Sequence, residues 1–215
     1  MTVPLATAAA PLVQAAVGDD RIYAYGDGIP HTPAEYSKLL VDLTGSGKVE
    51  LDDFSGGGIV EKLETRMAAV LRKEMAVWLP TGTLANHLAV RSLAGSRRRV
   101  LVQAESHLYN DTGDCAQTLS GLHLIPLGAG DATFRLSDVE KTFNTSRLGR
   151  VTTPVGAIQI ETPVRRKSGQ QFDSQEMTRI CAWARERSVG LHLDGARLFL
   201  ESAYTGRSVK EYAAL

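Results

Sequence analysis

From about residue 51 onward, apolar positions switch repeatedly between a helical and a strand-like period. Ile59, Leu63, Met67, Val70 and Leu71 recur at helical spacing, and Ala76-Val-Trp-Leu79 then reads as a short apolar strand. Thr81-Gly-Thr83 turns into a helix carrying Leu84, Leu88 and Leu93, and Arg99-Val-Leu-Val102 is the next strand. The alternation continues through a strand at Leu122–Leu127, a capping box at Ser137-Asp-Val-Glu140 and a buried-strand run at Val155–Ile160. Asp173 with Glu176 caps a long helix bearing Met177, Ile180, Cys181 and Ala184, and Gly190-Leu-His-Leu193 is a strand ending in Asp194. Strands that alternate with helices build βαβ units, so the expected fold is α/β, a mainly parallel sheet with helices on both faces.

Residues 1–50 read differently, as an N-terminal extension with one helix. Thr32-Pro-Ala-Glu35 is a capping box with Pro at the first helical position. Tyr36, Leu39, Leu40 and Leu43 follow as an apolar face, and Gly45-Ser-Gly47 stops the helix. Gly45-Ser-Gly-Lys48 imitates a phosphate loop, but it follows a helix rather than a strand. Val49 also stands where a magnesium-binding Ser or Thr would be needed, so it reads as a helix-ending turn. The division expected is 1–50 for the extension and 51–215 for the α/β part.

Charge narrows the possible partners. Lys+Arg and Asp+Glu both total 24, so no basic field is available for nucleic acid or an anionic membrane. No apolar run approaches the ~20 residues that span a bilayer. The Ala-rich stretch Met1–Val17 lacks a basic n-region and is interrupted by Pro4 and Pro11, which supports a secretory leader only weakly. Cys115 and Cys181 share no metal-type spacing and suggest no disulfide framework, so both read as small apolar residues in a reducing, cytoplasmic setting.

Candidate chemistry collects at the carboxyl ends of the expected strands, where open α/β sheets bind ligands. Gly82 between Thr81 and Thr83 lets a phosphate approach the free amides of a helix start, although Thr81 is equally a plain N-cap. His107, just past the strand ending near Gln103, could stack on a planar ring or shuttle a proton, or could be a satisfied loop histidine. Asp194 ends an apolar strand, and a carboxylate there needs a partner. A pyridinium nitrogen is one such partner, and capping the next helix while pairing with Arg197 is the alternative. Arg197 presents a fork suited to a carboxylate or phosphate. Together these residues supply three separate requirements of a bound pyridoxal 5'-phosphate (PLP).

Their order and spacing resemble the threonine aldolase/β-eliminating lyase family of fold-type I PLP enzymes. The resemblance rests on Asp52–Glu64, Lys73-Glu74 leading into Leu79-Pro-Thr-Gly-Thr-Leu-Ala-Asn86, Ala104-Glu-Ser-His-Leu-Tyr109, Leu119-Ser-Gly121 and Leu191–Phe199. It implies that Gly82 and Thr83, with Thr81 beside them, bind the PLP phosphate, that His107 stacks on the ring and that Asp194 holds the ring nitrogen. Arg197 would bind the carboxylate of a small amino-acid substrate. The implied reaction cleaves a threonine-like β-hydroxy amino acid to glycine and an aldehyde, or is a related β-elimination. The implied assembly is a homodimer or homotetramer.

Two departures stand out. Where such aldolases carry a Glu-Asn-Thr-His-Asn run, this chain has Glu161-Thr-Pro-Val-Arg-Arg-Lys-Ser-Gly169, which leaves the substrate open. Arg165 and Arg166 there could meet an anionic substrate or form a solvated loop. The second departure concerns the lysine that holds PLP as a Schiff base. Lys38, Lys48, Lys62, Lys73, Lys141, Lys167 and Lys210 fall on expected helix faces or loops. Alignment by the Arg197 motif puts the reactive lysine beyond Leu215. The expectation is an incomplete PLP-binding large domain of the PLP-dependent transferase type, without its small C-terminal domain and inactive alone. The competing reading from another class is a non-catalytic truncated remnant. A nucleotide-binding α/β domain is weaker still, since it needs a Gly-rich fingerprint that Thr81-Gly-Thr83 does not supply.

Overall fold

In the computed structural model, which describes residues 31–215, four strands form one sheet in the order β2-β1-β3-β4. They are β1 (Arg99–Gln103), β2 (His123–Leu127), β3 (Val155–Glu161) and β4 (Gly190–Asp194). Every neighbouring pair is parallel, and the register sets Glu161 beside Asp194 at the carboxyl ends of β3 and β4. The chain steps from β1 out to β2 and then returns to β3 on the other side of β1. That reversal makes the gap between β1 and β3 the topological switch point, where a crevice opens at the strand ends. The Ala-rich opening stretch, and with it the matter of a leader, lies outside the described residues.

The chain divides into two units, residues 1–59 and 60–215. In the first, α1 (Pro33–Gly45) starts where its sequence signals place it. Thr32 caps the Glu35 amide at 3.3 Å, and the Glu35 carboxylate returns to the Thr32 amide at 2.7 Å. None of its residues is buried. Helix α2 (Gly58–Leu71) follows; its buried residue is Ala68, and none of the five apolar residues expected to line one face of it is buried.

In the second unit the remaining helices are α3 (Gly82–Ala94), α4 (His107–Asn110), α5 (Cys115–Ser120), α6 (Leu136–Thr145), α7 (Ser174–Glu186), α8 (Leu198–Thr205) and α9 (Val209–Ala213). Two apolar clusters lie on opposite faces of the sheet, as a doubly covered sheet requires. Leu101, Ile158 and Ile160 pack with Phe134, Phe172 and the α7 residues Met177, Ile180 and Ala184. Val100, Val102 and Ala157 pack with Val90 and Ala94 of α3 and with Leu108 and Ala116. Each fully buried large side chain contributes roughly 1.5–3 kcal/mol of transfer free energy.

Three local expectations change. Ala76–Leu79 is not a strand: it pairs with no neighbour, Val77 is 73% exposed, and the Trp78 amide donates to the Glu64 carboxylate at 2.7 Å. Apolar composition favours a strand only where a partner strand takes up the backbone groups. On α3, the face turned inward carries Asn86, His87, Val90 and Ala94, while Leu88 and Leu93 stay partly exposed. Helix α6 begins two residues earlier than the Ser137 capping box predicts. Glu176 of α7 accepts its Leu136 amide at 2.8 Å, and Asp138 accepts the Arg135 amide at 3.1 Å. That first partner comes from forty residues away, so no local motif announces it.

Candidate functional site

A closed circuit of contacts runs around the carboxyl ends of β1, β3 and β4. It begins at α3. Thr81 is its N-cap, accepting the Leu84 amide at 3.2 Å, which leaves the Gly82 and Thr83 amides outside the i→i−4 ladder. Those amides, at the positive end of a thirteen-residue helix dipole, form a natural anion seat. Thr83 Oγ1 lies 3.4 Å from Nε2 of His107, the first residue of α4.

His107 is held from three directions. Its amide donates to Glu161 Oε2 at 2.6 Å, which spans the switch point between β1 and β3. Its Nδ1 lies 3.5 Å from Asp111 Oδ2, one helical turn on. Arg165 and Arg166 close on the same Asp111 at 3.1 and 3.0 Å. Their positive charge is therefore largely taken up within the chain, and the ring of His107, with its side chain 27% exposed, keeps one surface open.

Glu161 is the residue that sequence reasoning missed most clearly. It is 2% exposed, and its two oxygens accept the amides of His107 and of Arg165, the latter at 2.9 Å. Burial pushes its pKa up from the ordinary 4.5; the two amide bonds and Arg197 oppose that shift, and the nearby Asp194 adds to it. Gln103, also buried, clamps the same strand end by accepting the Glu161 amide at 2.7 Å and donating to its carbonyl at 2.8 Å. The signal was present: Glu161 ends an apolar strand just as Asp194 does.

Asp194 is 6% exposed and receives the Asn86 side-chain amide at 2.7 Å on Oδ2 and the Ala196 amide at 3.3 Å on Oδ1. Asn86 lies one turn beyond Thr83 on α3, so the circuit closes: Thr83, His107, Glu161, Asp194, Asn86 and back along the helix. Arg197, the residue after Ala196, is half-buried at the N-cap of α8. Of the residues expected from sequence, Thr83, His107 and Asp194 are thus joined by this circuit. Thr81 and Gly82 adjoin it on α3, and Arg197 acts on it through the field at Glu161. Asn86 and Glu161 complete it, and no lysine is among the residues these contacts join.

The chemistry of these residues suits an anionic heterocycle such as PLP. Gly82 has ordinary helical backbone angles, and a Cβ placed on it would meet nothing within 4 Å. The fold therefore does not require glycine there, and the open space lies where a phosphate would approach the helix start. Asp194 supplies a buried carboxylate with acceptor capacity to spare. Two cavities elsewhere in this unit, of about 830 and 630 Å³, are lined by none of Thr83, His107 and Asp194.

Residues 48–215 match the family model described as beta-eliminating lyase. The chain belongs to the beta-eliminating lyase family. It is 30% identical over 155 residues to the alanine racemase TOXG of Cochliobolus carbonum, covering 71% of this chain and 39% of that protein. It is 30% identical over 165 residues to the aldolase vrtJ of Penicillium aethiopicum, covering 76% and 42%. With the low specificity L-threonine aldolase of Saccharomyces cerevisiae it shares 26% identity over 156 residues, covering 72% and 40%. A Listeria monocytogenes structure provisionally assigned as an L-allo-threonine aldolase superposes with a TM-score of 0.73 at 29% identity, over 86% of this chain and 50% of that one. The chain thus spans about two-fifths of the length of these curated relatives. The parallel sheet with helices on both faces is the fold of these neighbours.

Proposed function

We propose that this chain is the cofactor-gripping part of a PLP-dependent lyase of threonine aldolase type, acting on a small β-hydroxy amino acid. The observation that carries this reading is the contact circuit, which gathers an anion seat, a ring-sized histidine and a buried carboxylate at one switch point. The relatives' names, racemase and aldolase, share chemistry at the α-carbon of an amino acid and differ in the bond broken, which supports the substrate class more than the reaction.

Bound PLP supplies an electron sink for a bond breaking at the substrate α-carbon. In this reading Thr81, Gly82 and Thr83 hold the phosphate with hydroxyls and helix-start amides. Asp194 keeps a proton on the ring nitrogen, because a buried carboxylate is stabilised by a cation beside it. His107 covers one face of the ring, and Arg197 binds the substrate carboxylate. Retro-aldol cleavage of threonine or allo-threonine would give glycine and acetaldehyde.

Because no lysine belongs to the circuit, the chain by itself is expected to bind PLP without turning it over. The active protein would be a homodimer or homotetramer that also contains such a lysine. Titration of the purified chain with PLP, followed by visible absorbance and quenching of Trp78 and Trp183 fluorescence, tests the first statement. Saturable binding that Asp194→Ala weakens at least tenfold is the expected result. No saturable binding, or binding indifferent to Asp194, would sink the proposal and favour a non-catalytic remnant.

A further inference from the structure

Asn86 was not among the residues singled out for chemistry, yet it is buried at 7% exposure and bonded on both sides of its amide. Its Nδ2 donates to Asp194 Oδ2 at 2.7 Å, and its Oδ1 lies 2.8 Å from Nε2 of His192 on β4. The orientation of that amide is fixed by chemistry. An ionised carboxylate only accepts, so the NH₂ group must face Asp194 and the carbonyl must face the imidazole. It follows that Nε2 of His192 carries a hydrogen. Burial pushes the pKa of His192 below its ordinary value of 6.5, against the pull of Asp194, and so favours the neutral ring.

The three side chains therefore form a one-way chain of donors, His192 to Asn86 to Asp194, each bond polarising the next toward the carboxylate. The arrangement stabilises the negative charge on Asp194 and commits Oδ2, leaving Oδ1 as the oxygen with the longer bond. We infer that Asn86, backed by His192, is a positioning residue that holds Asp194 by Oδ2 and so turns Oδ1 to the ring nitrogen of the cofactor. The inference rests on the reading of Asp194 as the partner of that nitrogen. Asn86 is the source of the 2.7 Å bond to Oδ2, so removing it would leave that oxygen of a buried carboxylate without this donor.

The test has one arm without cofactor and one with it. In the purified cofactor-free chain, ¹⁵N–¹H correlation spectra of the histidine rings should show His192 as the Nε2–H tautomer. A His192 ring protonated on Nδ1 alone would overturn the inference, whatever the fate of PLP binding. With PLP carrying ¹⁵N in its ring, the wild type should show a pyridinium shift. Asn86→Leu should move it toward the neutral pyridine range and weaken PLP binding by about tenfold or more, as expected for loss of a hydrogen bond to a buried charge. His192→Gln, which keeps a donor, should retain most of the affinity that His192→Leu loses. Unchanged affinity and ring shift in Asn86→Leu would refute the positioning role while leaving the PLP reading intact. Failure of the wild type to bind PLP would overturn both.

Discussion

The two ends of α3 rest against the same sheet and use glycine for opposite reasons. At the carboxyl end, Leu93 and Ala94 lie directly over Gly156 and Gly190, near the starts of β3 and β4. A Cβ on Gly156 would sit 2.1 Å from the Arg97 carbonyl oxygen and 2.7 Å from that of Ala94, and one on Gly190 would sit 2.8 Å from Leu93 Cβ. At the amino end, a Cβ on Gly82 would meet nothing within 4 Å. The first pair of glycines lets the helix touch the sheet. Gly82 serves no such contact, and in the proposed reading the space above it receives the cofactor phosphate. One helix is thus anchored at one end and left open at the other, a division between stability and function written in a single residue type.

The most direct way to break this comparison is Gly156→Ala. The added methyl meets backbone, which cannot rotate away, so a loss of about 3 kcal/mol is expected, near the upper end of overpacking penalties. Chemical denaturation of the purified variant checks it. A loss below roughly 0.5 kcal/mol would mean that the helix does not bear on the sheet there. Gly190→Ala should cost less, because its shortest contact would be 2.8 Å, to Leu93 Cβ, against 2.1 Å at Gly156.

The amino end should answer to ligand rather than to stability. Thr83→Val keeps the volume of the side chain but removes the hydroxyl facing His107 and the anion seat. The stability cost should stay within about 1 kcal/mol for one neutral hydrogen bond. PLP affinity should fall several-fold, as measured by absorbance titration. An unchanged affinity would separate Thr83 from the phosphate seat.

How far could this division be read from the chain alone? The four parallel strands and helices α1, α2, α3, α6 and α7 were legible, because each strand is mainly apolar and each of these helices carries its own period or cap. Thr32, Thr81 and Asp173 announce their helices locally. The failures share one cause, a partner distant in sequence. The apolar segment at Ala76–Leu79 has strand composition but no neighbour. Helix α6 starts where Glu176 caps it, and α3 turns Asn86 and His87 inward because Asp194 and Ser120 bond them at 2.7 and 2.6 Å. The same holds within the site. Thr83 and His107 open helices and Asp194 ends a strand, so they could be picked out, whereas Asn86 gains its meaning only from the carboxylate and imidazole brought to it.

Glu161 makes the carboxyl end of β3 sensitive to pH. Its folded pKa is raised above the ordinary 4.5, chiefly by burial. A carboxyl of this kind binds its proton more tightly when folded, so the stability it contributes is fully present below 4.5 and is lost as pH rises through the folded value. Glu161→Gln stays neutral throughout. The advantage of wild type over this variant should therefore be greatest in acid, on the order of 1 kcal/mol for one amide acceptor, and should shrink as pH rises past the carboxylate range. Denaturation midpoints of both proteins across that range decide it. A difference that does not vary with pH would remove Glu161 as the titrating group.

The smallest effect on stability, and the sharpest on the comparison, belongs to Gly82→Ala. The backbone there is helical and nothing crowds the new methyl, so fewer unfolded conformations are lost on folding and the variant should gain about 0.4–1 kcal/mol. The same methyl projects into the space over the helix-start amides, so PLP binding should weaken although every other contact of the circuit is untouched. Thermal melts and PLP titrations of one preparation measure both quantities. Opposite signs would show that this glycine is kept for the ligand and against the fold. If stability fell, Gly82 would join Gly156 as a packing glycine and the two ends of α3 would no longer differ in kind. If stability rose while affinity held, the anion seat would have to lie elsewhere on the circuit.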